Sequence, residues 1–401
     1  MELKGVEYLR AQLKKKQPRV KRRYEYYDMK KQVEYFSKLL PSEYRWMSHA
    51  LGWSTKAVDS IADRINFNEF RDDNFFMQEI YELNNSDILF DSAILSALIG
   101  SCSFIYIAEQ EGYPSLQVID GYNATGIVDD TTGLLKEGYA VLERDKTGNV
   151  TLEAYLEPGK TTIYENKILT EVIENTAPYP LLVPIIHRPE ATRPFGRSRI
   201  TRACMSYQQG ALRTLKRSEI CSEFYSFPQK YVLGLDDEAE FNKTAATYSS
   251  FLRFGNNENG EKPTLGSFTQ QSMSPFLDEL KMFASLFAGE SGLTLDDLGF
   301  ASSNPSSSEA IRASHESLRL STRKAQKCFA VGFINAGYLA ACVRDKKDYG
   351  RKEIYRTKIA WEPIFGVDAS ALGAIGDSVQ KIETSFPGYM TEEKVHDIFG
   401  I

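Results

Sequence analysis

The spacing of apolar residues predicts helices in the first hundred positions. Residues 1–65 have a polar, helical pattern, with a break at Pro41 and an amphipathic run from Ser54 to Ile65. A second series keeps near-helical spacing and predicts one helix from about Phe75 to Ile99. Its apolar members are Ile80, Leu83, Phe90, Ile94, Leu95 and Leu98.

From Ser103 the period changes to that of β-strands. Short alternating runs follow one another: SFIYIA, SLQVI, GYAVLE, VTLEAY, KTTIY and ILTEVI. Turn residues separate them, among them Asp129-Asp130, Thr147-Gly148-Asn149 and Pro158-Gly159. We therefore expect a small antiparallel β region that ends near Thr176.

Four prolines, at positions 180, 184, 189 and 194, then predict an extended segment that leads into a helix over 198–225. One stripe of this helix is apolar and consists of Ile200, Cys204, Tyr207, Ala211 and Leu215. The opposite stripe is polar and consists of Arg202, Ser206, Gln209, Arg213 and Lys216. A helix with two such faces packs on one side and leaves the other available.

The remaining residues, 227–401, alternate between irregular segments and helices. Residues 227–273 contain a short strand, QKYVLGL, the acidic turn Asp236-Asp237-Glu238 and a stretch rich in Gly and Asn. Ser274-Pro275 opens the next helix, and 292–307 is predicted to be a long loop. Ser306 and Glu309 match a capping box that starts a helix reaching about Arg344. The strand KIAWEPIF and a polar helical tail, 369–401, complete the pattern.

Length and composition indicate a folded protein with two or three sub-structures. The chain has 401 residues, of which 42% are hydrophobic and 25% charged. Five widely spaced cysteines without a CxxC pair argue against a disulfide framework or a zinc site. No apolar stretch is long enough to span a bilayer, and the charged start, Glu2 and Lys4, does not resemble a signal peptide. We therefore expect synthesis in the cytosol and no membrane partner.

The charge is acidic overall but unevenly distributed. A net charge of −6 does not favour general binding to nucleic acid. A basic segment near the start is the exception, with Lys14, Lys15, Lys16, Arg19, Lys21, Arg22 and Arg23. We interpret this segment as a solvated helix face, and a phosphate-binding arm is the alternative.

The sequence offers little catalytic chemistry. Gly159-Lys160-Thr161 follows a strand, but position 154 is Ala where a phosphate-binding loop needs its first Gly. The four histidines are dispersed, and the acidic pairs Asp72-Asp73, Asp129-Asp130 and Asp296-Asp297 are typical of turns and caps. We therefore expect no enzyme activity, no cofactor and no bound metal.

Several segments recur in an order that resembles a known family. Leu182-Val183-Pro184, Arg188-Pro189 and then Arg193-Pro194-Phe195-Gly196-Arg197-Ser198-Arg199-Ile200 lead into the helix. SFPQKYVLG, the helix at Pro275, the loop GLTLDDLGF and NPSSSEAIRASHESLRL follow. This order resembles the portal proteins of long-tailed, siphophage-type bacteriophages, and the likeness covers about 180–345.

The resemblance implies an α+β portal fold with long stem and wing helices, a small antiparallel β region in the wing and a small mixed α/β clip. The implied wing comprises 1–197 and 308–368, and the clip comprises 226–273. The stem helices correspond to 198–225 and 274–291. Residues 292–307 correspond to the tunnel loop and 369–401 to a short crown.

The resemblance also implies a function. Portal proteins form a dodecameric ring at one capsid vertex, through which double-stranded DNA is packaged and ejected without sequence specificity. The implied partners are the terminase large subunit, head-completion or adaptor proteins, and the major capsid and scaffolding proteins. The ring resides in the virion, after assembly in the host cytoplasm.

Three groups of residues are the implied sites. The stem residues Arg202, Gln209, Arg213 and Lys216 are expected to line the channel. The tunnel-loop residues Asp296, Asp297, Ser302, Ser303 and Asn304 are expected to lie near DNA. The clip residues Asp236, Asp237 and Glu238 are expected to contact the terminase.

Two alternatives stay open. The first is a DNA-processing enzyme of a packaging module, such as a metal-dependent nuclease or an ATPase. The second is another head–tail structural protein, such as an adaptor, although adaptors are generally much smaller. On the residues alone, each predicted stem helix also fits an ordinary core helix with a solvated face.

Overall fold

The computed structural model describes residues 3–33, 47–226, 230–233, 264–267, 272–300, 311, 313–365, 369–391 and 394–395. The chain forms two compact units. The larger comprises Met1–Lys31, Gly52–Met205 and Ala288–Ile401, and the smaller comprises Gln32–Leu51 and Ser206–Phe287. The chain combines helices with antiparallel sheets, which confirms the α+β part of the predicted fold class. Among the described helices, none combines the length and apolar character needed to cross a bilayer.

The amino-terminal half begins with four helices. They are α1 (Val6–Tyr27), α2 (Trp53–Ala62), α3 (Met77–Leu83) and α4 (Ser86–Gly100). The prediction of one continuous helix from Phe75 to Ile99 is wrong, because Asn84 and Asn85 interrupt it. Asn85 takes a left-handed backbone conformation, φ 53°, which Asn tolerates better than most residues.

The side chain of Asn84 forms hydrogen bonds that replace those of a continuous helix. Its Nδ2 donates to the carbonyls of Ile80 at 2.8 Å and Pro114 at 3.0 Å, and its Oδ1 accepts from the amide of Leu116 at 2.8 Å. Asn side chains that bond to the main chain compete with helical hydrogen bonds. The break therefore docks the helical region onto a strand.

The predicted antiparallel region is present. Its strands are β2 (Cys102–Gln110), β3 (Tyr113–Asp120), β4 (Ala124–Val128), β5 (Leu135–Arg144), β6 (Val150–Glu157), β7 (Lys160–Glu165), β8 (Ile168–Glu174) and β9 (Leu182–Ile186). They form a three-stranded sheet in the order β3-β2-β9 and a five-stranded sheet in the order β4-β5-β6-β7-β8. Strand β9 contains Pro184, which a sheet tolerates here because β9 lies at its edge.

A further small sheet joins distant parts of the larger unit. Strand β1 (Phe67–Arg71) pairs with β12 (Lys358–Trp361). The sequence pattern did not predict β1, because the strand is only five residues long and its burial does not alternate. Aromatic rings pack beside it. Phe90 lies 4.3 Å from Phe67 and 4.2 Å from Phe333 between ring centres, so this aromatic cluster ties β1, α4 and the long carboxyl-terminal helix together.

The other elements follow the predicted order. They are α5 (Arg202–Ser226), β10 (Lys230–Leu233), β11 (Thr264–Ser267), α6 (Ser274–Ser291), α7 (Glu316–Asp345) and α8 (Ala369–Ser385), with short 3-10 turns at Asp296–Leu298 and Arg351–Arg356. Strands β10 and β11 pair antiparallel. The helix predicted from Ser198 starts at Arg202. The predicted break at Pro41 and the capping box at Ser306 and Glu309 lie outside the described residues.

Helix α1 is held on the five-stranded sheet by two buried carboxylates. Glu137 accepts hydrogen bonds from the amides of Lys4 at 2.7 Å and Gly5 at 3.0 Å, just before the helix begins. Glu153 accepts from the guanidinium of Arg10. Both carboxylates are at most 2% exposed, so they fix the helix rather than face solvent.

The basic segment on α1 divides into two groups. Lys16 and Arg23 are partly buried, and the Arg23 guanidinium donates to the carbonyl of Gly100 at 2.8 Å. Burial is the main reason that the pKa of Arg23 falls to about 10. The other cations are exposed, namely Lys14, Lys15, Arg19, Lys21 and Arg22.

Candidate functional site

The two predicted stem helices, α5 and α6, contact each other in the smaller unit. A β-carbon at Gly210 would lie 2.5 Å from the ring of Phe283, so only the absence of a side chain on α5 allows this approach. Arg217 and Glu279 add a loose ion pair at 3.9 Å between the same two helices. Close packing at a glycine lets two helices approach more tightly than ordinary side chains permit.

In the larger unit, a buried arginine holds the start of α5 and the end of α6. Arg199 is 7% exposed, and its guanidinium donates to the carbonyls of Ala57, at 3.1 Å, and Ser291. Ser291 is the last residue of α6, so no amide of a following turn can donate a hydrogen bond to its carbonyl. Burial lowers the pKa of Arg199 to about 10, and the site therefore keeps a cation out of water at a cost that its hydrogen bonds must offset.

Neighbouring hydrogen bonds complete this junction. Thr201 donates to Glu290 at 2.8 Å, which again joins the start of α5 to the end of α6. Ser198 donates to the carbonyl of Ile99 at 2.7 Å, at the end of α4. We call Ser198, Arg199, Thr201, Glu290 and Ser291 the stem root. These contacts make the stem root a polar anchor in which two long helices and α4 meet.

The four residues predicted to line a channel differ in exposure. Arg202 is exposed and Arg213 is half-buried, whereas Gln209 and Lys216 are buried. Gln209 donates its side-chain amide to the carbonyl of Gln32 at 3.1 Å. Arg202 and Arg213 are therefore the two members of this group whose side chains reach the surface of the single chain.

The described part of the predicted tunnel loop starts with a capping box. The carboxylate of Asp297 accepts from the amide of Thr294 at 2.9 Å and from its hydroxyl at 2.8 Å, and the Thr294 hydroxyl accepts from the amide of Asp297 at 3.2 Å. This reciprocal pair has the hydrogen-bond pattern of a capping box and lies at the start of the short turn Asp296–Leu298. Asp297 is thus engaged in local structure, and Asp296 is exposed.

The two ends of the loop lie close together. A β-carbon at Gly292 would lie 2.8 Å from the hydroxyl of Ser317, and Gly292 has a left-handed φ of 67°. The ring of His315 lies 3.8 Å from the carboxylate of Asp297. The described residues at the two ends of this segment, Gly292 and Asp297 on one side and His315 and Ser317 on the other, therefore lie close together.

Ser302, Ser303 and Asn304 lie outside the described residues, as do Asp236, Asp237 and Glu238. Within the described ranges, no group of three or more His, Cys, Asp and Glu residues is placed to hold a metal ion.

Another feature near the stem root is a buried histidine. His187 is 2% exposed, its Nδ1 donates to the carbonyl of Arg197 at 2.6 Å, and burial lowers its pKa to about 3. The imidazole is therefore neutral in the folded chain at neutral pH and acts as a structural donor.

Comparison with known sequences finds two phage relatives. The portal protein of Mycobacterium phage L5 is 26% identical over 319 residues, which cover 73% of this chain and 65% of the relative. The portal protein of Mycobacterium phage D29 is 25% identical with the same coverage. The chain is similar to phage portal proteins. The resemblance predicted from the order of segments is confirmed.

The match to the portal relatives is partial in length. The chain spans less than two thirds of the length of either portal protein that it matches. No protein-family model matches the sequence.

Solved structures give a weaker likeness. A chain in the virion of a native gene transfer agent particle has a TM-score of 0.47 and 12% identity, with 87% of this chain and 89% of that chain covered. A chain in the neck of the native particle, computed with C12 symmetry, has a TM-score of 0.43 and 13% identity, with the same coverage.

The sequence pattern missed the residues that build the stem root. Arg199 lies in the portal-like run from Arg193 to Ile200, but nothing in that run shows that its guanidinium is buried. The capping box at Thr294 and Asp297 had a readable signal, a Thr followed three residues later by an acid. That spacing predicts that Asp297 bonds to Thr294, in addition to its predicted position near DNA.

Proposed function

We propose that this chain is the non-catalytic subunit of a phage portal, a dodecameric ring at one capsid vertex through which double-stranded DNA enters and leaves. The observation that carries the proposal is the similarity to two portal proteins over 73% of the chain. The order of the described elements supports it, because two long helices, α5 and α6, flank a segment that contains a small sheet.

In this proposal the parts have the roles that the resemblance implies. Residues 198–225 and 274–291 form the stem, 226–273 the clip, 1–197 and 308–368 the wing, and 369–401 a short crown. The stem root supports this division, since Arg199 bonds to Ser291 at the point where both stem helices meet the larger unit's helix α2 through Ala57.

The charge of the chain suits DNA that passes without being held. Each phosphate contact strengthens binding and makes it dependent on salt, so a channel that grips DNA slows its passage. The chain carries a net charge of −6, and of the four proposed channel residues Gln209 and Lys216 are buried. Arg202 and Arg213 are the two that we propose face the channel.

The proposed tunnel loop, 292–307, extends towards DNA from its closed base. Gly292 beside Ser317 and Asp297 beside His315 support this arrangement. We propose that Asp296, Ser302, Ser303 and Asn304 lie near the duplex and that Asp297 shapes the base of the loop.

Docking of other packaging components is assigned to the clip. We propose that Asp236, Asp237 and Glu238 contact the terminase large subunit, and that head-completion proteins later use the same end. The wing contacts the major capsid and scaffolding proteins. The ring then resides in the virion, after assembly in the host cytoplasm.

A packaging reaction with a matched omission tests the proposed function. Proheads are assembled from coat and scaffolding proteins with or without this chain, and terminase, ATP and DNA are added. We expect DNase-protected DNA only when the chain is present. Equal protection without the chain contradicts the proposal. A metal-dependent nuclease or ATPase activity of the purified chain, lost on substitution of its own carboxylates, favours the enzyme instead.

A further inference from the structure

Strand β8 is unusual because both of its faces are exposed. All seven residues from Ile168 to Glu174 are exposed, and four of them are large and apolar. Ile168 is 71% exposed, Leu169 56%, Val172 44% and Ile173 41%. Successive side chains of a strand point to opposite faces, so β8 presents apolar groups on both sides instead of burying one.

The strand nevertheless has a defined place in the sheet. It pairs with β7 along its whole length, from Lys160 opposite Glu174 to Glu165 opposite Ile168. It is also the last strand of the five-stranded order, so no described strand pairs with its outer edge. An ordered, apolar and unpaired edge readily binds another chain, and folded proteins normally cover or charge such edges.

We take a second copy of the same chain as the partner, because in a ring of identical subunits the same contact would cover the β8 edge of every subunit. In a closed ring each subunit presents one surface to the neighbour on one side and a different surface to the neighbour on the other. Pairing of β8 with β8 would instead give a two-fold dimer, which does not continue into a ring. The partner surface for β8 must therefore lie elsewhere on the chain.

Charge and shape identify a complementary surface. Strand β8 and its turn are acidic, with Glu165, Glu171 and Glu174 against Lys167. A surface cleft of about 710 Å³ near the end of α7 is lined by residues that include Phe76, Arg344, Lys352, Glu353 and Arg356.

The side chains of this cleft match those of the strand. Asp345 holds Arg344 at 2.8 Å, while Lys352 and Arg356 are exposed. Phe76 is 66% exposed and offers the apolar contact that Ile168 and Val172 require. Glu353 also lines the cleft and is exposed, so the lining carries three cations, Arg344, Lys352 and Arg356, against two carboxylates, Asp345 and Glu353. The cleft thus has a small excess of positive charge beside an apolar ring, which complements the apolar and acidic surface of the strand.

We propose that β8 of one subunit packs against the cleft formed by Phe76, Lys352 and Arg356 of the neighbouring subunit. This inference rests on the proposed function, because it takes the ring as given. The new element is the pair of surfaces through which adjacent wings contact each other. The contact then depends on two glutamates, Glu171 and Glu174, and on two cations, Lys352 and Arg356.

A charge-swap experiment tests the contact. Glu171→Lys with Glu174→Lys, and separately Lys352→Glu with Arg356→Glu, should each raise the concentration for half-assembly at least tenfold in mass photometry. The chain that carries all four changes should assemble again within about threefold of the unmodified protein, because the charges are exchanged across the interface. Glu111→Lys with Asp130→Lys is the matched control, since it alters net charge equally at exposed turns. Normal assembly of both charge-reversed pairs overturns the inference, and so does failure of the fourfold variant to recover.

A covalent test covers the case in which the reversed variants do not fold. Val172→Cys combined with Phe76→Cys should give a ladder of disulfide-linked subunits on a non-reducing gel after mild oxidation, and each single variant should not. Rings without a ladder overturn the contact but leave the portal proposal standing. An unmodified chain that stays monomeric at all concentrations overturns both.

Discussion

The guanidinium of Arg199 donates a hydrogen bond to the carbonyl of Ser291, so one buried cation joins the start of α5 to the end of α6. The same guanidinium donates to the carbonyl of Ala57 at 3.1 Å, on α2. A main-chain carbonyl that loses its donor in the interior stays unsatisfied, which is why a buried contact of this kind matters more than an exposed one.

Replacement of Arg199 tests the stem root. Arg199→Met removes the donor to both carbonyls and should lower the free energy of unfolding by roughly 2–4 kcal/mol. Arg202→Met is the matched control, because Arg202 is the same residue type close by in sequence and is exposed, so it should cost under about 0.5 kcal/mol. Urea unfolding of the two variants measures the difference. Equal stabilities would show that the buried guanidinium contributes nothing.

The contact between Gly210 and Phe283 predicts that alanine has opposite effects on stability at Gly210 and at Gly289. Gly210→Ala should destabilise the protein by roughly 1–3 kcal/mol, because the added methyl would lie 2.5 Å from the Phe283 ring. Gly289→Ala, on α6, meets no atom within 4 Å and should be neutral or stabilise by up to about 1 kcal/mol. Thermal unfolding distinguishes them. A Gly210→Ala variant as stable as Gly289→Ala contradicts the close packing of α5 and α6, and Phe283→Leu should partly relieve the defect.

The pattern of apolar residues predicted most of the helices and the antiparallel region, because periodicity reports which face is buried. It failed where side chains act on the main chain. Asn84 interrupts a helix whose apolar spacing continues across the break, and periodicity carries no trace of that hydrogen bonding.

The sequence pattern also failed to predict which charged residues are buried. Composition and pattern place charged groups at the surface, whereas Glu137, Glu153 and Arg199 are buried with specific partners. Their partners, Lys4 and Gly5, Arg10, and Ser291, are distant in sequence, so no local spacing indicates the pairs. For the same reason the polar stripe on 198–225 did not reveal that Gln209 and Lys216 are buried.

His187 predicts a dependence of stability on pH. Its pKa is about 3 in the folded chain, mainly because it is buried, and about 6.5 when unfolded. The unfolded chain therefore binds more protons than the folded chain between these two pH values. Burial of neutral His187 costs no stability above about pH 6.5, and the free energy of unfolding falls as the pH is lowered from there towards 3.

Substitution of His187 isolates this contribution. His187→Asn keeps a donor for the carbonyl of Arg197 but does not titrate. The difference in unfolding free energy between the two proteins should change by up to about 1.4 kcal/mol per pH unit between pH 6 and 4, with the histidine protein losing stability faster. Urea unfolding at several pH values provides the measurement. Parallel curves would contradict burial of a neutral imidazole.

Added positive charge tests whether the proposed tunnel loop reaches DNA. Ser302→Lys with Ser303→Lys places new cations on every subunit, and phosphate contacts accumulate around a ring. Packaging measured by DNase protection should slow or stall, and higher salt should relieve the defect. Thr147→Lys with Asn149→Lys adds the same charge at an exposed turn of the larger unit and should package at the normal rate. Unmodified packaging by the loop variant would mean that the loop does not approach the duplex.

The central claim, that the chain is the subunit of a portal ring, is tested most directly by the state of the purified protein. Native mass spectrometry of the 45.4 kDa chain, with electron-microscope images of the same sample, measures both the number of subunits and the shape. We expect a dominant species of twelve subunits whose top views show a ring with a central hole. A protein that stays monomeric at every concentration, or that forms compact oligomers without a hole, contradicts it.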